Sequence, residues 1–189
     1  MKLRNLIANG DYGTDKDTTH SYIDFYEDFF AEYSEKEVTV LEIGTGCGGA
    51  TELWHDYFLN GKIYGIEINK HDILTKLNEK ERITIYQGTD CCSMDTVEMI
   101  RSQGLVFDII IDDASHTLQS QIFSAKYWTE LLNDDGLFVI EDVQHIDYCP
   151  KIIDSLPEKL KLSSKTEDRR SLKNRFDDIL VTAKNNRRN

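Results

Sequence analysis

Short apolar runs alternate with longer amphipathic stretches along most of this chain. The apolar runs are rich in β-branched and aromatic side chains and cover residues 38–43, 62–68, 83–87, 106–112 and 137–140. Helical periodicity is strongest between them, at residues 49–59, 71–77, 93–102 and 117–132. A further helix near residues 151–160 precedes a last strand-like run at 177–183. This alternation predicts βαβ units around a parallel sheet.

The predicted fold class is therefore α/β, a doubly wound and mostly parallel sheet in a single domain. Right-handed crossovers place helices on both faces of such a sheet. The run 107–111 is apolar at four of its five positions, as expected for a central strand covered on both sides. We assign residues 37–184 to this domain, residues 1–36 to an N-terminal helical segment and residues 185–189 to a tail.

Composition and charge narrow the classes of partner. The 189 residues are 40% hydrophobic, enough for a core, and their 22 basic and 34 acidic side chains give a net charge of −12. Binding to phosphates depends on clustered Lys and Arg, so we expect no nucleic acid and no membrane among the partners.

No apolar run approaches the ~20 residues of a membrane helix, and residues 1–13 lack the apolar core of a signal peptide. We expect a cytoplasmic location.

Cysteine usage agrees with that location. The spacing of Cys47, Cys91, Cys92 and Cys149 matches no zinc motif. Adjacent Cys91 and Cys92 allow a strained vicinal disulfide, but we expect buried free thiols in a reducing compartment.

Polar residues follow each of the first five predicted strands. In a doubly wound sheet, ligands bind at the carboxyl ends of the strands. The residues at these positions are Glu42–Gly49, Glu67, Gln87–Asp90, Asp112–His116 and Glu141–Asp142. We therefore expect them to surround one pocket.

The first of these segments is a glycine loop. Gly44, Gly46 and Gly49 satisfy the pattern G-x-G-x-x-G between a strand and a helix, and Glu67 follows about twenty residues later. Dinucleotide enzymes and methyltransferases both use this pattern, and a simple tight turn also explains it. The carboxylate of Glu42, just before the first glycine, would repel a pyrophosphate and suits the cationic S-adenosylmethionine.

The segments Asp112–His116 and Glu141–Asp142 carry the second candidate site. Neighbouring strand ends would bring Asp113, Glu141 and Asp142 together, and converging carboxylates repel one another unless a cation lies between them. Hard oxygen ligands favour Mg²⁺ or Mn²⁺ over zinc. His116, about one helical turn beyond Asp113, is the candidate general base. The alternative is that these residues face solvent separately or cap a helix.

Motifs along nearly the whole chain, from about Gly13 to Ala183, resemble the metal-dependent O-methyltransferases of macrolide sugars. They comprise GTDK (13–16) with His20, Tyr22, Tyr26 and Glu27, then VLEIGTG (40–46), IYGIEI (63–68), QGTD (87–90), FDIIIDDASH (107–116), FVIEDVQ (138–144), DRRS (168–171) and RFDDIL (175–180). Residues 168–171 and 175–180 correspond to that family's last strands. The resemblance implies a Rossmann-like class I methyltransferase sheet of seven strands.

The resemblance also implies roles for individual residues. Asp113, Glu141 and Asp142 would ligate Mg²⁺, and His116 would be the catalytic base. Glu67 would hold the ribose hydroxyls of S-adenosylmethionine, Asp90 would lie near its adenine, and residues 1–36 would cover it. The expected cofactor-binding residues are Thr14, Lys16, Glu42, Gly44, Thr45, Gly46, Glu67, Ile68, Asp90 and Asp112. Tyr22, Phe25 and Tyr26 recur at helical spacing and are interpreted as packing residues.

The acceptor is left open by the sequence. The macrolide enzymes carry a further N-terminal region with no counterpart in this sequence, so macrolide specificity is not expected to transfer. We expect a sugar hydroxyl on a small carbohydrate, glycoside, nucleotide sugar or glycan, and allow for a homodimer. The alternatives are a catechol-type phenol as acceptor, an NAD-binding oxidoreductase, or a catalytically silent binding module.

Overall fold

A computed structural model of the chain describes residues 2–186. Residue 1 of the predicted N-terminal segment 1–36 and residues 187–189 of the predicted tail 185–189 lie outside the described residues. Within residues 2–186, seven strands form one sheet in the order β3-β2-β1-β4-β5-β7-β6. The strands are β1 (Thr39–Ile43), β2 (Lys62–Glu67), β3 (Ile83–Gln87), β4 (Phe107–Asp112), β5 (Leu132–Ile140), β6 (Lys165–Asp168) and β7 (Ile179–Lys184). The first five are parallel, and β7 runs antiparallel to both β5 and β6. The predicted fold class is confirmed.

Helices cover both faces of the sheet. They are α1 (Leu3–Asn9), α2 (Tyr22–Phe29), α3 (Gly49–Tyr57), α4 (Asp72–Leu77), α5 (Met94–Ser102), α6 (Leu118–Tyr127), α7 (Cys149–Ser155), α8 (Glu158–Lys161) and α9 (Arg170–Lys173), with 3-10 turns at Trp128–Leu131 and Ile146–Tyr148. Helices α1 to α4 pack on the face that carries Ile109 and Ile111 of β4. Helices α5 to α8 pack on the face that carries Ile110. Alternating side chains of one strand thus enter two cores, which explains its nearly continuous apolar run.

The observed elements differ from the predicted ones where a turn or a proline intervenes. Strand β5 begins at Leu132 rather than at residue 137, because Leu132 already pairs with Phe107 of β4. A register shift follows this pair, and Asp135, in the same stretch, adopts a left-handed backbone and donates its N–H to the Asn185 carbonyl at 2.6 Å. The predicted helix 151–160 is two helices, since Pro157 lacks an N–H to donate and disfavours helix at the residue before it. Residues 168–171 are expected to be strand, but β6 ends at Asp168 and helix α9 begins at Arg170, so the expectation is wrong for the residues after Asp168.

Two further expectations concern the membrane and the cysteines. Among residues 2–186 we find no helix of the length and apolarity that a bilayer span requires. All four cysteines are free, with the sulfurs of Cys91 and Cys92 separated by 4.0 Å. The expectation of buried thiols is correct only for Cys149, because Cys47 and Cys92 are exposed and Cys91 is half-buried.

Candidate active site

A cleft of about 810 Å³ opens at the carboxyl ends of the parallel strands. Seven of the predicted cofactor-binding residues line it: Thr14, Gly44, Thr45, Gly46, Glu67, Ile68 and Asp90. The loops after β1, β2, β3 and β4 form its walls, and Gly13 and Thr14 of the N-terminal segment close one side. The strand-end rule for doubly wound sheets therefore locates the cleft correctly.

The glycine loop brings the wall after β1 against the wall after β4. Gly44 has φ of +86°, and a Cβ atom there would lie 2.4 Å from the carbonyl oxygen of Asp113. Only glycine avoids both the strained backbone and this collision. Glycine is therefore required at this position because the two loops are in close contact here.

Glu67 holds the rim of the cleft at the end of β2. Its Oε2 accepts from the N–H of Gly46 at 2.9 Å, and its Oε1 accepts from the N–H of Asn69 at 2.9 Å. The side chain of the next residue, Ile68, is 63% exposed and lines the same cleft. An acid fixed beside an apolar surface can bind the hydroxyls of a ribose next to a base.

Glu42, which is predicted to lie beside the cofactor, does not line this cleft. Its Oε1 accepts from the indole N–H of Trp54 at 2.9 Å, and its Oε2 accepts from the hydroxyl of Thr51. Both donors belong to α3, on the face of the sheet that Glu42 shares with Val40 two residues earlier. Burial raises the pKa of Glu42 to about 7, although Lys16 and the two hydrogen bonds work in the opposite direction.

Asp112 and Lys16 are also absent from the lining of the cleft. Asp112 is buried beneath the loop that follows β4, where its Oδ1 accepts from the N–H of Ala114 at 3.2 Å. Burial raises the pKa of Asp112 to about 6. The ammonium group of Lys16 lies instead in the neighbouring carboxylate cluster.

Asp113, Glu141, Asp142 and His116 form this cluster, which we call the carboxylate centre. Strands β4 and β5 are adjacent and in register at Asp112 and Ile140, so their next residues meet at one edge of the sheet. The Nε2 of His116 lies 3.9 Å from Asp113 Oδ1 and 3.8 Å from Asp142 Oδ2. Asp113 also lines the cleft, so the two sites share a wall.

Side chains of the N-terminal segment hold the remaining oxygens of the carboxylate centre. Lys16 Nζ lies 2.7 Å from Asp113 Oδ2 and 2.6 Å from Glu141 Oε2. The hydroxyl of Tyr22 donates to Asp142 Oδ1 at 2.6 Å, and the hydroxyl of Tyr26 donates to Glu141 Oε1. Each aspartate is thereby fixed through one oxygen, while its other oxygen faces His116.

His20 extends this arrangement to the end of the sheet. Its Nδ1 lies 2.7 Å from Asp178 Oδ1 and 3.3 Å from Asp142 Oδ1. The Asp178 carboxylate also accepts from the hydroxyl of Ser21 at 2.7 Å. The N-terminal segment is therefore tied to the residues before β7 as well as to the carboxylate centre.

The electrostatics of the centre show an excess of buried negative charge. Burial raises the pKa of Glu141 well above its ordinary value, with Lys16 opposing the shift. Burial and Asp113 raise the pKa of Asp142. Burial lowers the pKa of Lys16, but Asp113, Glu141 and Glu42 outweigh it and leave the pKa well above its ordinary value.

The donor set fits a hard divalent cation. A carboxylate oxygen of Asp113 and one of Asp142 lie within 4.8 Å of each other and of a ring nitrogen of His116. Carboxylate oxygens with free electron pairs suit Mg²⁺ or Mn²⁺, and the excess negative charge favours a cation over a neutral ligand. Glu141 lies at the same edge, although its two oxygens already accept from Lys16 and Tyr26.

The sequence interpretation missed the roles of the tyrosine hydroxyls. Tyr22 and Tyr26 are fully buried, as packing residues are, but they also donate hydrogen bonds to the carboxylates. A signal for these hydrogen bonds was available in the sequence. Two apolar helix positions four residues apart carry tyrosine rather than phenylalanine, and a buried tyrosine hydroxyl usually has a hydrogen-bond partner. Phe25, between them, has no such group and packs against Phe29.

Comparison with known proteins identifies the family of the chain. The family described as "Methyltransferase domain" matches residues 34–184, most of the chain. The chain belongs to this family. As a methyltransferase domain it is not expected to be a dinucleotide-dependent oxidoreductase, so that alternative is set aside.

Individual relatives of this methyltransferase domain are longer proteins. The chain is 33% identical over 144 residues to the 8-demethyl-8-alpha-L-rhamnosyl tetracenomycin-C 2'-O-methyltransferase of Streptomyces olivaceus. This match covers 70% of this chain and 36% of that protein. It is 34% identical over 131 residues to the demethylmacrocin O-methyltransferase of Streptomyces fradiae, covering 66% of this chain and 32% of that protein. The chain thus spans about a third of the length of these curated relatives.

A solved structure has the same fold. The MycE methyltransferase of the mycinamycin biosynthetic pathway, in complex with Mg and SAH, superposes with a TM-score of 0.77 at 23% identity. The match covers 99% of this chain and 55% of that protein. The similarity therefore includes the N-terminal segment that precedes residue 34.

Proposed function

We propose that this chain is an S-adenosylmethionine-dependent and Mg²⁺-dependent O-methyltransferase that acts on a sugar hydroxyl. The observation that carries the proposal is the shared wall at Asp113, which belongs to both the cleft and the carboxylate centre. A methyl donor in the cleft and a hydroxyl beside His116 would then be neighbours. Mn²⁺ has the same preference for oxygen ligands and could replace Mg²⁺.

The cleft supports the choice of methyl donor. Glu67 would accept from the ribose hydroxyls, Ile68 would pack against the adenine, and Asp90 would lie at the adenine end. Gly44, Thr45 and Gly46 would bring the backbone close to the donor, and Thr14 would close over it. Lys16, Glu42 and Asp112 would instead support the walls from behind, since their side chains lie outside the cleft.

Asp113, Glu141 and Asp142 would hold the divalent ion, with Asp113 Oδ1 and Asp142 Oδ2 already directed toward His116. When bound, the methyl donor supplies an electrophilic sulfonium methyl group and the ion supplies Lewis acidity beside the acceptor oxygen. His116 would accept the proton of the acceptor hydroxyl at Nε2, the nitrogen that faces the centre. The carboxylates on either side would stabilise the imidazolium that forms.

The sugar acceptor is supported by the relatives, whose names specify 2'-O-methylation of a rhamnosyl tetracenomycin and O-methylation of demethylmacrocin. Neighbouring hydroxyls of a sugar offer the paired oxygens that a divalent ion binds. A glycoside, glycan or nucleotide sugar would provide this chemistry. A homodimer remains an expectation, to be measured separately.

The test is methyl transfer from labelled S-adenosylmethionine to a panel of methyl glycosides and nucleotide sugars, with catechol as the phenolic comparison. Product analysis by mass spectrometry is expected to show a methyl ether on a sugar, lost in EDTA and restored by Mg²⁺. Methylation of catechol alone would overturn the sugar assignment. Transfer that is equal with and without EDTA would overturn the metal assignment.

A further inference from the structure

Lys16 is an unusual residue for the interior of an acidic protein. Its side chain is 1% exposed, and its Nζ is within 2.7 Å of two carboxylate oxygens, one from the loop after β4 and one from the end of β5. An isolated ammonium is costly to bury and persists there only when it is paired. Its position is therefore explained by Asp113 and Glu141, which lie 97 and 125 residues further along the chain.

The charges at the site can be counted from the three carboxylates of the centre and Lys16. With all three carboxylates ionised and His116 neutral, Asp113, Glu141 and Asp142 carry three negative charges and Lys16 carries one positive charge, so 3 − 1 leaves two negative charges. One divalent cation balances that remainder, whereas two would overcompensate it. Removal of the lysine charge would leave three carboxylates without a resident cation.

Lys16 also connects the centre to the cleft. It lies two residues after Thr14, which lines the cleft, and its carbonyl accepts from the N–H of Tyr22 at 3.0 Å. Tyr22 itself donates to Asp142. Residues 16–22 of the N-terminal segment are thus fixed at both ends by contacts with the carboxylate centre.

We propose that Lys16 is a resident counter-cation and positioning residue, which keeps the carboxylate centre assembled without metal and limits it to one divalent ion. The proposal deepens the metal-dependent function above and rests on it. If Lys16 merely fills space, its replacement should lower stability equally with and without metal. If Lys16 is a counter-cation, its replacement should lower stability mainly when no metal is present.

The experiment compares Lys16→Met, which keeps much of the side-chain length without the charge, with the wild-type chain. Thermal unfolding is followed in EDTA and in saturating Mn²⁺, and Mn²⁺ binding is titrated by calorimetry. We expect a lower Tm for Lys16→Met in EDTA, a smaller difference in Mn²⁺, and at least about tenfold tighter Mn²⁺ binding because a nearby positive charge has been removed. Wild type should bind one Mn²⁺ per chain.

Two further variants serve as controls. Lys159→Met removes the same charge from the exposed face of α8 and should leave Mn²⁺ binding unchanged. Lys16→Arg retains the charge and should bind Mn²⁺ within about threefold of wild type. If Lys16→Met does not fold in EDTA, we expect refolding in Mn²⁺ to recover it.

The possible failures are distinct. Equal Mn²⁺ affinity and equal Tm deficits with and without Mn²⁺ would overturn the role of Lys16 while leaving the metal centre intact. Two Mn²⁺ ions bound at the centre of the wild type would also overturn it, as would a Lys16→Met chain that does not refold in Mn²⁺. Absence of Mn²⁺ binding by wild type would overturn the metal-dependent function itself, and this proposal with it.

Discussion

His116 and Asp142 face each other across the carboxylate centre with Nε2 3.8 Å from Oδ2, and both have a left-handed backbone with φ of 54°. This conformation costs an L-residue other than glycine roughly 1 kcal/mol or more, so surrounding contacts must maintain it. Asp142 is held by Tyr22 and by the neighbouring His20. The two strained positions thus place the candidate base opposite a candidate metal ligand.

Replacement of His116 by asparagine should separate its chemistry from its backbone conformation, because asparagine tolerates the left-handed region. We expect His116→Asn to lower methyl transfer at neutral pH by about 10²–10⁴-fold, the usual contribution of a general base. Affinity for S-adenosylmethionine, measured by calorimetry, should not change, since His116 does not line the cleft. His145→Asn, at an exposed histidine, is the matched control, and retained turnover in His116→Asn would exclude it as the base.

Glu67 provides a test of the cleft. Glu67→Gln removes the charge that accepts from Gly46 and Asn69, and would also weaken its hold on ribose hydroxyls. We expect affinity for S-adenosylmethionine to fall by about tenfold, equivalent to ~1.4 kcal/mol for a hydrogen bond to a charged group. Glu81→Gln makes the same charge change at an exposed position before β3. Equal affinities of the two variants in calorimetry would argue against a binding role for Glu67.

The sheet and the location of the cleft could be predicted because both are encoded locally. Apolar runs such as 107–111 specify buried strands, and the strand-end rule then collects the polar loops on one edge. The orientation of Glu42 could have been derived from strand alternation, since Val40 and Glu42 share the face that packs on α3. The interpretation based on ligand charge did not use this alternation.

The contacts of the N-terminal segment could not be derived in this way. Lys16 and Asp113 are 97 residues apart, and no periodicity or spacing relates them. The same is true of His20 and Asp178, which are 158 residues apart. Such pairs arise from the path of an irregular segment across the sheet edge, which depends on the assembled fold.

The close approach at Gly44 predicts a large effect on stability. In Gly44→Ala the new Cβ would meet the carbonyl oxygen of Asp113 at 2.4 Å and would also impose a strained φ. We expect a loss of at least ~2 kcal/mol in the free energy of unfolding, since a positive φ alone costs ~1 kcal/mol. Gly104 has φ of +71°, and a Cβ atom there would have no neighbour within 4 Å, so Gly104→Ala measures the backbone cost alone. Similar urea midpoints for the two variants would show that the loop contact is unimportant.

The raised pKa of Glu42 predicts how stability depends on pH. The unfolded side chain titrates near 4.5 and the folded one near 7, so between these values the folded state holds a proton that the unfolded state has lost. The contribution of Glu42 to stability is therefore fully present below about pH 4.5 and is lost as pH rises through about 7, a change of about 3 kcal/mol. Glu42→Gln cannot titrate, so urea unfolding from pH 5 to pH 8 should show a smaller decline for this variant than for wild type. Parallel curves for the two proteins would mean that Glu42 does not titrate in this range.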